Sequence, residues 1–202
     1  LRPFRRSYPM TLAETASTFA EDIFRREMNE HYKDQPEVLV NLLNSGFEDM
    51  AAYLLNIQMR YFFEKAFHEE RKQGEVSVDR LQELILEHQA AAYGDALDRD
   101  QMDPWFWASK QHFYITGVTF YNFPYTFGYL LSRGLSALFQ KEGESFLPRY
   151  EEFLRATGSA NAEEVAKDTA GIDLRDEEFW RIAIKSHEGE LDAFEALAES
   201  LK

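Results

Sequence analysis

The five histidines are the first residues to consider for metal chemistry, because the chain has no cysteine and a metal would have to be held by His, Asp or Glu. None belongs to a His-Glu-x-x-His motif, which places two imidazoles on one zinc ion, and none has a glutamate three residues before it, as di-iron helix bundles require. Glu27 with His31, and Glu64 with His68, lie one helical turn apart. Such pairs are usually solvated neighbours on a charged helix face. The residue pattern predicts no complete metal site.

His112 and the tyrosines that follow it are the second candidate for chemistry. Tyr121, Tyr125 and Tyr129 are four residues apart, which would place three hydroxyls on one face of a helix. A buried aromatic stripe could be built from phenylalanine, without the hydrogen-bond partners that buried phenols need. From spacing alone, the wall of a cleft and an ordinary half-exposed packing face fit these tyrosines equally well.

Glu14 begins a polar stripe that continues through Thr18, Glu21 and Arg25 on an otherwise apolar helix. A carboxylate that faces a ligand is one interpretation. The other is structural: Thr11-Leu-Ala-Glu14 matches a capping box, in which the Glu14 side chain accepts a hydrogen bond from the backbone N–H of Thr11. Spacing alone favours the capping box.

The remaining histidines have ordinary structural interpretations. His88 lies among apolar side chains and is expected to be half-buried and bonded to a neighbour. His187, between Ser186 and Glu188 near the end of the chain, is expected to lie on the surface.

The elements that must position these residues are helices. Apolar residues recur three and four apart along almost the whole chain, while alternating β-type runs are absent, so the fold class is all-α, a multi-helix bundle. We predict one helical domain over residues 1–202. The predicted helices run from Pro9 to about His31, from Pro36 to about Lys72, from Ser77 to about Gly94, from Leu130 to about Gly143, near Tyr150–Leu154 and Ala162–Thr169, and from Asp176 onward.

The charge balance excludes several partners. Thirty-six acidic residues against 22 basic ones give a formal charge of -14, which repels phosphate backbones and anionic lipid surfaces, so we expect no nucleic-acid partner. Residues 111–132 carry no charge, but His112, Asn122, Pro124 and several hydroxyls make the span too polar for a membrane. No apolar stretch follows the first arginines, so we expect a cytoplasmic protein. The start at Leu1 rather than Met indicates an internal start.

Two segments resemble the peptidase superfamily of thimet oligopeptidase and oligoendopeptidase F. The segment Leu12–Glu21, Leu-Ala-Glu-Thr-Ala-Ser-Thr-Phe-Ala-Glu, resembles its second zinc-site segment, and His112-Phe-Tyr114 with the run Phe120–Tyr129 resembles its substrate-side segment. The end of the chain, from Phe153, is also similar to the end of oligoendopeptidase F chains. The resemblance therefore implies the C-terminal portion of a helical, clam-like zinc peptidase fold.

The resemblance assigns roles to residues of both segments. Glu14 would be the third zinc ligand, and Glu21 would orient a zinc-bound histidine. His112 and one or two of the three tyrosines, with Tyr125 and Tyr129 favoured over Tyr121, would donate hydrogen bonds to the oxyanion or the substrate backbone. The resemblance also implies that Tyr114 and Gly117 bind substrate.

The family's His-Glu-x-x-His motif is absent, and the resemblance would place it before residue 1. We therefore expect a segment of a zinc-dependent oligoendopeptidase that hydrolyses short peptides when intact, with the N-terminal part of the same peptidase as its partner. The segment alone is expected to be inactive and to bind zinc weakly. A non-catalytic helical peptide-binding or degenerate peptidase-like module is the alternative. Loss of upstream helices would expose the Leu12–Phe24 stripe and promote self-association.

Overall fold

The computed structural model describes residues 7–202, and within them every regular element is a helix. Arg2, Arg5 and Arg6 lie outside the described residues. An isolated bridge between Thr157 and Ala160 is the β-type pairing that this range contains. The all-α prediction is confirmed. The α-helices are α1 Thr15–His31, α2 Pro36–Ala51, α3 Ile57–Arg71, α4 Val78–Tyr93, α5 Phe106–Ser109, α6 Phe123–Glu142, α7 Leu147–Ala156, α8 Ala162–Val165, α9 Glu177–Lys185 and α10 Glu188–Ser200.

The described residues fall into two compact units. Those up to Glu48, together with Phe127–Lys202, form the first unit, and Asp49–Thr126 form the second unit. That the two belong to one domain, as the sequence indicated, stays a prediction. None of the described helices is both long enough and apolar enough to cross a membrane.

The core of the first unit lies between α1, α6 and the C-terminal helices. Phe146 and Phe153 are fully buried there, and Phe19 of α1 stacks on Tyr150 of α7 at a ring-centroid distance of 4.2 Å. Burial of each such aromatic side chain stabilises the fold by about 1.5 to 3 kcal/mol. Gly134 leaves room for a neighbouring ring, because a Cβ at that position would lie 2.2 Å from Cζ of Phe179. α1 is therefore held by packing along its buried face.

The predicted apolar stripe of α1 is only partly exposed. Leu12 and Phe19 are buried in the core of the first unit, so that part of the expectation is wrong. Phe24 is 65% exposed, and Ala20 and Ala16 are exposed one turn and two turns before it, respectively. The exposed part is therefore a narrow strip, and self-association through it stays a prediction.

The core of the second unit joins α3 to α4. Met59 and Phe63 of α3 pack against Leu84 and Ile85 of α4. Ser77 begins α4 as predicted, since its hydroxyl oxygen accepts a hydrogen bond from the backbone N–H of Arg80 at 3.2 Å. Phe113, which directly follows His112, packs against this core, so the α3–α4 pair holds the short turn that carries His112.

Candidate functional site

Glu14 lies at the N-cap position of α1 in the first unit. No side-chain hydrogen bond caps the helix there, so the capping box with Thr11 is not formed. Thr11 instead belongs to a 3-10 turn, Met10–Leu12, that precedes α1. The backbone carbonyl of Glu14 accepts hydrogen bonds from the hydroxyls of Ser17 at 3.0 Å and Thr18 at 2.8 Å. The half-buried Glu14 carboxylate is thus not engaged by its own helix terminus.

Gly128 of α6 lies against the backbone at Glu14. A Cβ built on Gly128 would be 2.8 Å from the Glu14 Cβ and 3.2 Å from the backbone nitrogen of Thr15. The hydroxyl of Thr18 also lies 3.4 Å from the Gly128 carbonyl oxygen. Only a residue without a side chain permits this approach, so Gly128 helps to fix the position of Glu14.

A buried ion-pair network connects α1 to α6 and α10. The Arg133 side chain, 4% exposed, pairs with Asp22 of α1 and, at 3.1 Å, with Glu190 of α10. It also donates to the Ser186 hydroxyl at 3.0 Å and to the Ser186 carbonyl at 3.1 Å. The Ser136 hydroxyl donates to the Asp22 carboxylate. Because the buried charges are paired and hydrogen-bonded, the network ties α1, α6 and α10 together.

The electrostatics of this network favour its charged state. Burial raises the pKa of Glu190, but the hydrogen bond from His187 and the Arg133 guanidinium outweigh it and lower that pKa to about 2. Burial opposes the charge of Arg133, yet Asp22 and Glu190 raise its pKa. The pair is therefore ionised throughout the physiological range.

Tyr129 extends the same network. Its hydroxyl lies 3.1 Å from Nε2 of His187, and the two rings stack at 5.7 Å. His187 is only 7% exposed, so its expected surface position is wrong: the final helix breaks between α9 and α10, and the break turns this histidine inward. Burial raises the pKa of Tyr129 far above its usual value. The substrate role that the resemblance implies for Tyr129 stays a prediction, and the hydrogen bond with His187 supports a structural role as the competing interpretation.

The second unit brings His112, Tyr121 and Tyr125 together. His112 lies on a 3-10 turn, Gln111–Tyr114, and its ring stacks on Tyr121 with centroids 5.6 Å apart and planes 12° apart. Tyr125 stands edge-on to both rings, at 6.0 Å from His112 and 5.9 Å from Tyr121. Tyr121 precedes α6, so the prediction of three tyrosines on one helical face is wrong, although two of them meet His112.

The environment of His112 keeps its imidazole neutral. Burial, Arg60 and Lys110 lower the pKa of His112 from its ordinary value near 6.5, while Glu64 acts in the opposite direction. Its Nδ1 is buried and has no hydrogen-bond partner among residues 7–202. A neutral imidazole has one nitrogen that donates and one that accepts, so His112 can offer a hydrogen bond to a polar ligand at neutral pH.

The other predicted site residues are exposed. Tyr114 is 54% exposed and its hydroxyl donates to the Trp107 carbonyl at 3.3 Å. Gly117 is exposed, and an added Cβ would meet nothing within 4 Å. Glu21 is exposed on α1, two turns after Glu14. Their predicted roles in substrate binding and histidine orientation stay predictions.

A zinc site is not complete within the described residues. Across residues 7–202 no three or more His, Cys, Asp and Glu side chains are grouped so as to hold a metal ion. Glu14 is a single carboxylate, whereas zinc sites in proteins need three or four donors. The donors that this range offers therefore do not fit zinc by themselves.

Sequence reasoning missed the residues that hold the site in place. Arg133 had a usable signal: it ends the uncharged run 111–132 and lies within an apolar helix, where a lone charge indicates a buried ion pair. The spacing of Glu64 and His68 predicts a solvated pair, but the Glu64 side chain is only 6% exposed. No local signal marked its long-range partner, the backbone N–H of Phe120.

Comparison with known proteins identifies the class. Residues 3–185 match the model of peptidase family M3, and the chain belongs to that family. Within it, the likeness is to oligoendopeptidase F. The chain is 28% identical over 197 residues to oligopeptidase PepF of Bacillus subtilis. The matched region covers 97% of this chain and 29% of that protein. It is 29% identical over 194 residues to the plasmid oligoendopeptidase F of Lactococcus lactis subsp. cremoris, covering 96% and 31%.

A solved structure gives the same result for the fold. The crystal structure of oligoendopeptidase-F from Enterococcus faecium matches with a TM-score of 0.78 and 25% identity, over 96% of this chain and 36% of that one. The family resemblance and the helical peptidase fold are thereby confirmed. The chain spans under a third of the length of the curated relatives described here.

Proposed function

We propose that this chain supplies the substrate-side residues of a peptide-hydrolysing site, with His112, Tyr121 and Tyr125 as hydrogen-bond donors to the peptide. The observation that carries the proposal is the three-ring cluster itself, in which a neutral imidazole meets two phenols. Membership of peptidase family M3 supports the reaction class. Short peptides are the proposed substrates, since the matched relatives are named as oligopeptidases and oligoendopeptidases.

The chemistry that the cluster can perform follows from its donors. When a peptide carbonyl is attacked, negative charge develops on its oxygen, and donors already held in place stabilise that charge. Phenol O–H groups and a neutral imidazole N–H can each donate to such an oxygen. Removal of one donor of this kind typically lowers kcat by about 100-fold or more.

Glu14 is proposed to contribute one carboxylate to a zinc ion whose other ligands come from outside the described residues. Its carboxylate is not committed to the helix terminus, as such a role requires. We further propose the N-terminal part of the same peptidase as the partner that supplies those ligands, and the cytoplasm as the compartment. A non-catalytic peptide-binding module is the second candidate, in which the ring cluster of His112, Tyr121 and Tyr125 would bind a peptide without hydrolysing it.

The test uses the 202-residue chain and a quenched fluorogenic peptide. We expect no hydrolysis by the chain alone, and chelator-sensitive hydrolysis once a polypeptide carrying His-Glu-x-x-His from a matched relative is added. Tyr125→Phe should then lower kcat strongly, whereas Tyr8→Phe, at a tyrosine 54% exposed, should not. Equal activity of these two variants would refute the donor role. Peptide binding without hydrolysis under every condition would favour the binding module.

A further inference from the structure

Phe120, the residue directly before Tyr121, has an unusual backbone conformation. Its φ is 57°, and among residues 7–202 it is the one non-glycine residue with a positive φ. Residues other than glycine, asparagine and aspartate rarely adopt this conformation, because the Cβ of an L-residue approaches the backbone carbonyl. The surrounding structure must therefore hold the turn in place.

The Glu64 carboxylate of α3 is the group that meets this turn. Its Oε1 accepts the backbone N–H of Phe120 at 2.7 Å, although the residue is only 5% exposed. Its Oε2 is buried without a hydrogen-bond partner among the described residues. Nε2 of His68, one helical turn further on, lies 3.8 Å from Oε1. Burial of a carboxylate costs free energy, so a purely apolar residue would serve α3 packing better.

Other side chains of α3 contact the same turn. The Phe120 ring lies between Tyr61 and His68, with centroid distances of 5.6 Å and 5.3 Å. Arg60 lies 3.4 Å from the side-chain oxygen of Asn122. One face of α3 thus contacts the residues on both sides of Tyr121.

We propose that Glu64 is a positioning residue: its buried carboxylate holds Phe120 in the left-handed conformation and thereby sets the Tyr121 ring against His112. The inference deepens the proposed function and rests on it for its catalytic consequence. Its structural part concerns the turn alone. That part requires neither peptide nor metal to be tested.

The test compares two replacements of Glu64 in the 202-residue chain. Glu64→Gln keeps an acceptor oxygen at the same side-chain length, and Glu64→Leu has similar bulk with no acceptor. Glu69→Leu is the matched control, because Glu69 lies on the same helix with its side chain 63% exposed. Hydrogen exchange of the Phe120 amide and the NMR shifts of the His112 ring protons are measured at pH 8, where His112 is neutral.

We expect Glu64→Leu to speed exchange of the Phe120 amide by about tenfold or more, since a hydrogen bond to a charged acceptor is lost. It should also move the His112 ring-proton signals as the Tyr121 ring leaves its stacked position. Glu64→Gln and Glu69→Leu should leave both readouts near those of the unmodified chain. Wild-type values in Glu64→Leu, or equal changes in the Gln and Leu variants, would overturn the proposal.

A second variant keeps the test decisive if Glu64→Leu does not fold. Glycine adopts a positive φ without strain, so Glu64→Leu combined with Phe120→Gly should restore folding. Phe120→Gly alone is the reference for this comparison, because it also removes the ring contacts with Tyr61 and His68. If Glu64→Leu destabilises Phe120→Gly as much as it destabilises the unmodified chain, the defect does not lie in the turn and the proposal is overturned. In the complemented peptide assay Glu64→Leu should lower kcat with little change in KM, and Glu64→Gln should recover it. If the unmodified chain shows no hydrolysis in the complemented assay, the proposed function is refuted. The hydrogen-exchange result would still decide the structural role of Glu64.

Discussion

Replacement of Arg133 by methionine would remove the guanidinium that joins three helices of the first unit while keeping an unbranched apolar stem of similar length. The variant would lose the ion pairs with Asp22 and Glu190 and two hydrogen bonds to Ser186. Both carboxylates would remain, the first 6% exposed and the second 26% exposed. The perturbation therefore leaves buried negative charge without its main partner.

The expected cost follows from what remains in place. Breaking a buried ion pair by removing one partner destabilises proteins by about 3 to 5 kcal/mol. Arg26, whose side chain is 31% exposed, still lies 2.8 Å from Asp22 and 3.5 Å from Glu190, and it compensates in part. We therefore expect the free energy of unfolding at pH 7 to fall by about 3 kcal/mol, at the lower end of that range.

The effect of Arg133→Met on the free energy of unfolding should depend on pH in a defined direction. The pKa of Glu190 is lowered from 4.5 to about 2 in the folded chain, so its contribution to stability is present above pH 4.5 and is lost as the pH falls toward 2. That difference corresponds to roughly 3 kcal/mol. Without Arg133 the pKa of Glu190 is lowered less, so less stability is lost in acid. The gap between Arg133→Met and the unmodified chain should therefore narrow from pH 5 to pH 3.

Urea unfolding followed by circular dichroism at pH 7, 5 and 3 measures both effects. Arg155→Met is the control, because the side chain of Arg155 is 66% exposed and its ion pairs should contribute no more than about 1 kcal/mol. A loss at pH 7 no larger than that of the control would refute the reasoning. So would a loss that stays constant from pH 7 to pH 3.

Three further predictions concern the candidate site. Gly128→Ala should lower the free energy of unfolding by about 1 to 3 kcal/mol, because its Cβ would lie 2.8 Å from that of Glu14. Gly189→Ala is the control and should not destabilise the chain, since a Cβ there meets nothing within 4 Å. Equal melting temperatures of the two variants would contradict this. The pKa of His112, measured by NMR titration, should lie below 6.5, and a midpoint at or above that value would show that burial and the nearby cations do not act as described. Tyr129→Phe should lose about 1 kcal/mol of stability with the hydrogen bond to the buried imidazole, but should leave kcat in the complemented assay unchanged; a tenfold fall in kcat would instead assign Tyr129 a contact with substrate.

Helix content could be predicted from the sequence because apolar periodicity is a local signal that packing reinforces. The predicted helix ending near His31 and the helix after Ser77 agree with α1 and α4. The break before α10 could not be predicted in the same way, because the nearest breaker, Gly189, lies inside the first turn of α10, where an isolated glycine is tolerated. Burial of that histidine depends on tertiary partners, which single-sequence periodicity does not report.

The errors around Glu14 and Tyr121 have local physical causes. A capping box requires its first residue to be the N-cap, but Thr11 lies in a 3-10 turn and Glu14 itself occupies that position. Pro124 lies in the first turn of α6, where its missing N–H and fixed φ are tolerated, and the helix does not extend back to Tyr121. Pro124 is a sequence signal against one helix carrying all three tyrosines, since such a helix would have placed the proline in its interior.

The two units satisfy their buried polar groups to different degrees, and this difference bears on where substrate chemistry belongs. In the first unit the buried charges of Arg133 and Asp22 are paired, as in a scaffold. Six of the eight buried side-chain polar atoms that have no hydrogen-bond partner among residues 7–202 lie in the second unit, and they include atoms of Glu64, His112 and Asn122. Buried polar groups are normally satisfied in native proteins, so these atoms can complete their hydrogen bonds with water or with a ligand. These atoms support the proposal that residues of the second unit contact a peptide backbone, whose N–H and C=O groups supply both donors and acceptors.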